Sequence, residues 1–250
     1  MRVVALGASN LTRGFQTVVA TSRCLWGPEV EVFAALGHGR SYGMSSSVLG
    51  RRLPGILQCG VWDALAALGP APCRALVTDV GNDIAYGASV PQVLEWVEAC
   101  IGRLQPLTPD IVLTGLPLAR MRRLSRPGYL FFRSLLVPSC RLSLPALIEA
   151  AEASVEGLAR LAARRGVRWH PLRAEWYGLD PIHIKPRLWS AAWRDILCGN
   201  EPLPGGVAAS AFESLRLYSL LPERSWLFGR ERVRPQGGVR LPLGSRVWLY

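Results

Sequence analysis

The stretch Arg2-Val3-Val4-Ala5-Leu6-Gly7-Ala8-Ser9-Asn10 decides how this chain is read. Its first five residues form a short valine-rich run, the pattern of a parallel strand buried on both faces. The run stops at Gly7, and a serine follows two positions later. A helix then extends to about Trp26, with Asn10 or Thr12 as its cap. A strand that ends in Gly-x-Ser and enters a helix puts the serine at the carboxyl edge of a sheet. Ligands bind at that edge in folds of this kind.

The same alternation continues downstream. Val30–Leu36 reads as a second strand, followed by Gly37-His38-Gly39-Arg40-Ser41-Tyr42-Gly43. A helical region comes next, broken by Pro54-Gly55 and resuming over Ile56–Leu68. Arg74–Val80 is the third strand, Pro91–Leu104 a helix, and Asp110–Leu116 the fourth strand. Ala119–Leu142 interrupts the pattern. It carries Arg120, Arg122, Arg123, Arg126, Arg133 and Arg141 among Tyr129, Phe131 and Phe132, and reads as an insertion. Pro145–Arg165 is an amphipathic helix stopped by Gly166. Val167–His170 is the fifth strand, and Arg187–Cys198 a last helix. Strands alternating with helices predict an α/β fold, a flavodoxin-like three-layer sandwich with a five-stranded parallel sheet, over residues 1–198. Composition changes after Asn200. Pro202–Gly206 reads as a linker, and 199–250 as a short C-terminal β-rich appendage without an assigned role, with turns at Gly229, Gly237-Gly238 and Gly244.

Half of the 250 residues are apolar, enough for a sizeable core. The net charge is +11, and Lys185 is the only lysine. The arginines are spread along the chain and form no aromatic-studded stripe, which argues against a nucleic-acid partner. The six cysteines contain no C-x-x-C, and the histidines at 38, 170 and 183 have no metal-ligand spacing. The composition therefore predicts a reduced, metal-free protein. With no leader-like start and no apolar run long enough to span a bilayer, a cytoplasmic location is expected.

Two further pieces fall at strand ends beside Ser9. Gly81-Asn82-Asp83 follows the third strand, and Asp180-Pro181-Ile182-His183 lies in the loop after the fifth. A serine hydroxyl is a poor nucleophile without a base in reach. His183 can be that base, and Asp180 can orient it through the other ring nitrogen. The oxyanion formed on an attacked carbonyl needs donors already in place. The backbone N–H of Ser9, the backbone N–H of Gly39 and the side-chain amide of Asn82 are the expected donors. Trp176 and Tyr177 could either wall a pocket or pack the loop onto the sheet.

These pieces resemble the blocks of the SGNH hydrolases, the GDSL-type esterases and lipases, over roughly residues 1–198. Gly7-Ala8-Ser9-Asn10 is similar to the first block, with Ser9 as nucleophile. Gly39 falls where the second block's glycine is expected. Val80-Gly81-Asn82-Asp83 is similar to the third block, and Asp180 with His183 to the last. Two positions depart from the pattern. Ala8 replaces the usual acidic residue beside the nucleophile, and Val80 replaces a frequent glycine. The resemblance implies two-step cleavage of a small-molecule, lipid or sugar ester through an acyl-enzyme on Ser9, with no cofactor.

Three other readings compete. A nucleotide-binding reductase would need a glycine where Asn10 stands and an acidic residue at the end of the second strand. A non-catalytic binding protein would have no need of Ser9, Asn82, Asp180 and His183 together. An acyltransferase would use the same site and pass the acyl group to an alcohol.

Overall fold

The computed structural model describes residues 1–199 and 211–250. The linker expected at Pro202–Gly206 lies outside the described residues. The chain opens with β1 (Arg2–Leu6), α1 (Ser9–Trp26), β2 (Glu31–Ala35), β3 (Ser46–Val48), β4 (Arg51–Leu53), α2 (Val61–Ala66) and β5 (Cys73–Val77). It continues through α3 (Asn82–Ala85), α4 (Val90–Leu104), β6 (Ile111–Thr114), α5 (Leu118–Met121), α6 (Arg126–Leu136), α7 (Leu144–Arg165), β7 (Arg168–His170) and α8 (Trp189–Cys198). The last part holds α9 (Ala211–Tyr218), β8 (Arg224–Leu227), β9 (Arg230–Val233), β10 (Val239–Arg240) and β11 (Arg246–Leu249).

Five parallel strands make the expected sheet, in the order β2-β1-β5-β6-β7. The order in which the chain adds strands reverses at β1, with β2 on one side of it and β5, β6 and β7 on the other. The crevice between β1 and β5 is thus the switch point at which doubly wound sheets bind ligands. Alternate residues of β1 feed two cores. Val4 and Leu6 pack under α4 and α7, and Val3 and Ala5 pack under α1 and α8. Gly166, in the left-handed conformation (φ 65°), ends α7 as its sequence predicts.

The C-terminal segment is β-rich, as its composition suggests, but it is woven into the molecule rather than appended. β11 pairs in parallel with β2, and β10 pairs antiparallel with β11, so the sheet has seven strands. A boundary at residue 198 would cut through the sheet itself. Trp248 stacks on Phe33 at 4.5 Å, and Val247, Leu249, Leu241 and Tyr250 are buried. The hydrophobic run Val-Trp-Leu finds its second face only against β2, a partner about two hundred residues away in sequence.

The helix expected directly after Gly43 is the second departure. Residues there form the hairpin β3–β4, which joins β8–β9 in a separate antiparallel sheet of order β3-β4-β8-β9. The partner that makes these residues strands again comes from the C-terminal segment.

Burying one aliphatic side chain contributes about 1.5–3 kcal/mol, and whole domains are stable by only about 5–15 kcal/mol. Removing residues 239–250 would strip four buried hydrophobic side chains and a sheet edge at once. The truncated chain is expected to lose cooperative thermal unfolding, followed by near-UV circular dichroism; a truncated chain with a native-like melt would show that β10 and β11 are dispensable.

Candidate active site

The three sequence pieces converge at the carboxyl edge of β1 and β5. Ser9 is the first residue of α1. Its hydroxyl Oγ lies 3.0 Å from His183 Nε2, and His183 Nδ1 lies 2.6 Å from Asp180 Oδ2. Ser9 and His183 are both buried. The Asp180–His183 loop is a tight turn, because Asp180 Oδ1 accepts from the Ile182 and His183 amides at 3.1 and 3.2 Å. Burial works against ionisation of Asp180. The hydrogen bond and charge of His183 and those two amides outweigh it, so its carboxyl sits below the ordinary value. Arg13, one turn along α1, adds a charge 4.0 Å from the same carboxylate.

The nucleophile turn has a carboxylate, although Ala8 supplies none. Asp79 Oδ2 accepts from the Ala8 amide at 3.0 Å and the Leu11 amide at 2.9 Å. Asp79 Oδ1 accepts from Asn10 Nδ2 at 2.9 Å. The same Asn10 amide donates to the Ile182 carbonyl at 2.9 Å, and Asn10 Oδ1 accepts from the Ile184 amide at 2.8 Å. Asn10 therefore does not cap α1 as expected; it joins the Ser9 turn to the Asp180–His183 loop. Asp79 has φ 61°, a left-handed conformation that costs an ordinary residue about 1–2 kcal/mol and is easier for Asp or Asn. Three hydrogen bonds to a carboxylate, each worth about 1.5–3 kcal/mol, outweigh that cost. The third strand ends at Val77, short of the expected Val80, and the signal that could have found Asp79 is an acidic residue at the carboxyl end of that buried run, two residues before Gly81.

On the other side, the loop that carries Gly39 is joined to α3 through Tyr86 and Asn82. Gly39 has φ 62°, and a Cβ there would strike Val48 Cγ2 at 2.7 Å and the Tyr86 hydroxyl. Tyr86 donates to the Gly39 carbonyl at 2.7 Å, which fixes the orientation of that peptide. Asn82 opens α3, and its side-chain amide donates weakly to the Arg40 carbonyl at 3.4 Å. Asp83 is fully buried and anchors the loop by accepting from the Ser41 hydroxyl and, at 3.1 Å, from the Tyr42 amide. Burial pushes its carboxyl up to about 6 in spite of those bonds. Below the loop, the Tyr42 hydroxyl donates to the carbonyls of Thr78 (2.7 Å) and Leu6 (3.1 Å), closing the ends of β5 and β1.

Ser9, Gly81 and Asn82 open into a cavity of about 130 Å³. Its walls are mostly apolar and come from the segment read as an insertion: Met121, Leu124, Tyr129, Phe132 and Leu136. Arg133 is the cationic exception, and its guanidinium lies 5.7 Å from the Tyr129 ring centre. Arg120 Nε donates to the Gly178 carbonyl at 2.6 Å and so ties α5 to the histidine loop. Trp176 and Tyr177 are buried, with Trp176 stacked on His170 and Tyr177 bridged to Ile184. They pack the loop and do not line the cavity. Among the described residues no group of three or more His, Cys, Asp and Glu side chains is placed to hold a metal ion.

Asp79→Asn would keep the shape, but with its one oxygen accepting from the Ala8 and Leu11 amides its NH2 would face the Asn10 Nδ2 donor. Its unfolding free energy is expected to fall by about 2–4 kcal/mol in urea titration. A wild-type midpoint would show that the nucleophile turn stands without the carboxylate.

The same arrangement of sheet and helices occurs in solved structures. The native aryl esterase of M. smegmatis superposes with a TM-score of 0.51 at 11% identity, covering 80% of this chain and 96% of that one. A member of the lipolytic G-D-S-L family from Veillonella parvula does so with a TM-score of 0.51 at 12% identity, covering 78% and 96%. A third structure reaches a TM-score of 0.54 at 17% identity, covering 79% and 96%. No protein-family model matches the sequence, and no curated sequence matches it. At these identities the likeness is one of fold.

Proposed function

This chain has the fold of the SGNH hydrolases, and we propose that it is a serine esterase of that superfamily acting on an ester with an apolar acyl chain. The observation that carries the reading is the hydrogen-bonded series Ser9–His183–Asp180 opening into an apolar cavity. Ser9 Oγ attacks the ester carbonyl carbon, and His183 Nε2 takes the hydroxyl proton. Asp180 holds the ring so that the nitrogen facing Ser9 is the basic one and stabilises the cation formed. The carbonyl oxygen gains negative charge and receives hydrogen bonds from the Ser9 and Gly39 amides and the Asn82 side chain. His183 returns the proton to the leaving alcohol as the C–O bond breaks, leaving an acyl-enzyme. Water then adds to the acyl carbon, gives its proton to His183, and releases the carboxylic acid with Ser9 restored.

No metal enters these steps. Acyl transfer to an alcohol would share the first half of this sequence, and product analysis with added alcohol separates the two.

The acyl group fits the cavity on chemical grounds. Walls of Leu, Met, Phe and Tyr offer a hydrocarbon chain burial without stranding a polar group, whereas a sugar would leave its hydroxyls unpaired.

A fluorophosphonate probe should add once to the wild-type protein, read by intact mass, and not at all to Ser9→Ala. A folded wild type that takes no probe would remove Ser9 as an activated nucleophile. Asn82→Ala is expected to lower kcat by about a hundredfold or more with little change in KM, because its bond forms mainly in the transition state. Equal changes in both would assign Asn82 to substrate binding.

Leu136→Trp would fill part of the cavity. With p-nitrophenyl esters of graded length, kcat/KM for octanoate is expected to fall about tenfold or more while that for acetate changes little. A uniform loss across chain lengths would move the acyl group elsewhere.

A further inference from the structure

Two hairpin turns lie side by side at one end of the small sheet, since Arg51 at the start of β4 pairs with Leu227 at the end of β8. Each is a two-residue turn with positive φ at both positions: Leu49 (49°) and Gly50 (76°), Phe228 (48°) and Gly229 (81°). Such turns favour Asn-Gly, because asparagine tolerates the left-handed conformation. Here a leucine and a phenylalanine hold it instead, and they are 95% and 81% exposed. The Phe228 amide donates to the Gly50 carbonyl at 2.9 Å, so the two tips form one prominence. The Phe228 ring lies against Gly50, and apart from that contact both apolar side chains stand out in water in a conformation they resist.

The prominence belongs to the rim of the site. Val48, next to Leu49, packs beside Gly39. Leu179, the neighbour of Asp180, is 85% exposed. Helix α6 turns Phe132 and Leu136 to the cavity and leaves Phe131 and Leu135, one helical turn apart, bare on its outer side. Residues 118–142 contain six arginines and no acidic residue. Arg123, Arg126 and Arg141 are exposed and in no ion pair among the described residues. Arg230 and Arg232 are exposed beside the Phe228 tip.

We propose that this rim docks on an anionic lipid surface. Leu49, Phe228 and the outer side chains of α6 enter the headgroup region, and the arginines meet lipid phosphates. Scattered apolar points among cations suit a deformable interface that fills in around each point, as amphipathic surface helices do. A rigid protein partner would need a continuous complementary face. No helix among the described residues is long and apolar enough to cross a membrane, so the contact is peripheral. That an acyl chain could pass from this surface into the cavity behind α6 rests on the proposed esterase activity; the docking itself does not.

The test is flotation of the full-length protein with phosphatidylglycerol vesicles and with phosphatidylcholine vesicles at about 0.1 M salt, where screening leaves short-range attraction intact. Wild type is expected on the anionic vesicles only. Arg123→Ser/Arg126→Ser should weaken partitioning by about thirtyfold, from roughly one kcal/mol per arginine. Leu49→Asn/Phe228→Asn should weaken it by about tenfold while the melting temperature stays level or rises, since asparagine suits both turns. That combination separates a docking role from damage to the fold. No flotation of wild type, equal flotation of the variants, or a concentration-dependent dimer that buries the tips would each overturn the proposal. So would preference for duplex DNA over the vesicles in competition. Probe labelling of Ser9, run in parallel, reports on the esterase reading independently of flotation.

Discussion

The hydrogen bonds between Asp79, Asn10 and the Asp180–His183 loop are the constraint on which the site depends. Ser9 follows β1, Asp79 follows β5, and His183 comes from a loop beyond β7. Nothing in the sheet alone sets the distance between them to a hydrogen bond. Asp79 gathers two backbone amides of the Ser9 turn, and Asn10 spans from that carboxylate to the Ile182 carbonyl and the Ile184 amide on either side of His183. A hydroxyl and an imidazole 3.0 Å apart are the result. The carboxylate does this without belonging to the Gly-Ala-Ser turn, so a neighbouring strand has taken over what Ala8 cannot provide.

A second set of buried polar groups holds the opposite side. Arg40 is fully buried, donating to the Pro54 and Leu36 carbonyls at 3.2 Å and to the Tyr250 carbonyl. Asp83 and Tyr42 fasten the same loop to α3 and to the ends of β1 and β5. A buried charge without partners is costly, so each bond narrows where the loop can sit. The Gly39 peptide is thereby positioned through Arg40 by the C-terminal segment. This gives that segment a place in the architecture of the site as well as in the sheet.

The arginine-rich stretch unites two physical demands. Its inner residues complete an apolar cavity beside Ser9, and its outer residues leave cations and bare apolar side chains toward solvent. Helix α6 thus buries one apolar side against the cavity and leaves Phe131 and Leu135 exposed on the other, the side on which the proposed docking rests.

The amino-acid sequence determined the order of elements wherever local pattern and global fold agree. β1, β2, β5 and β6 are short, largely apolar runs, α4 and α7 have clear caps or stops, Ser9 and Asn82 fall within a few residues of a strand end, and Asp180 and His183 lie in the loop that follows β7. Those features are local: period, cap and turn chemistry are written within a few residues. Tertiary structure alone decided the rest. β3 and β4 are strands because β8 lies beside them, β11 is a sheet strand because β2 has a free edge, and Asp79 and Asn10 are site residues because β1 and β5 are neighbours. Each of these is a pairing across a long loop, and no local propensity specifies which distant partner closes it.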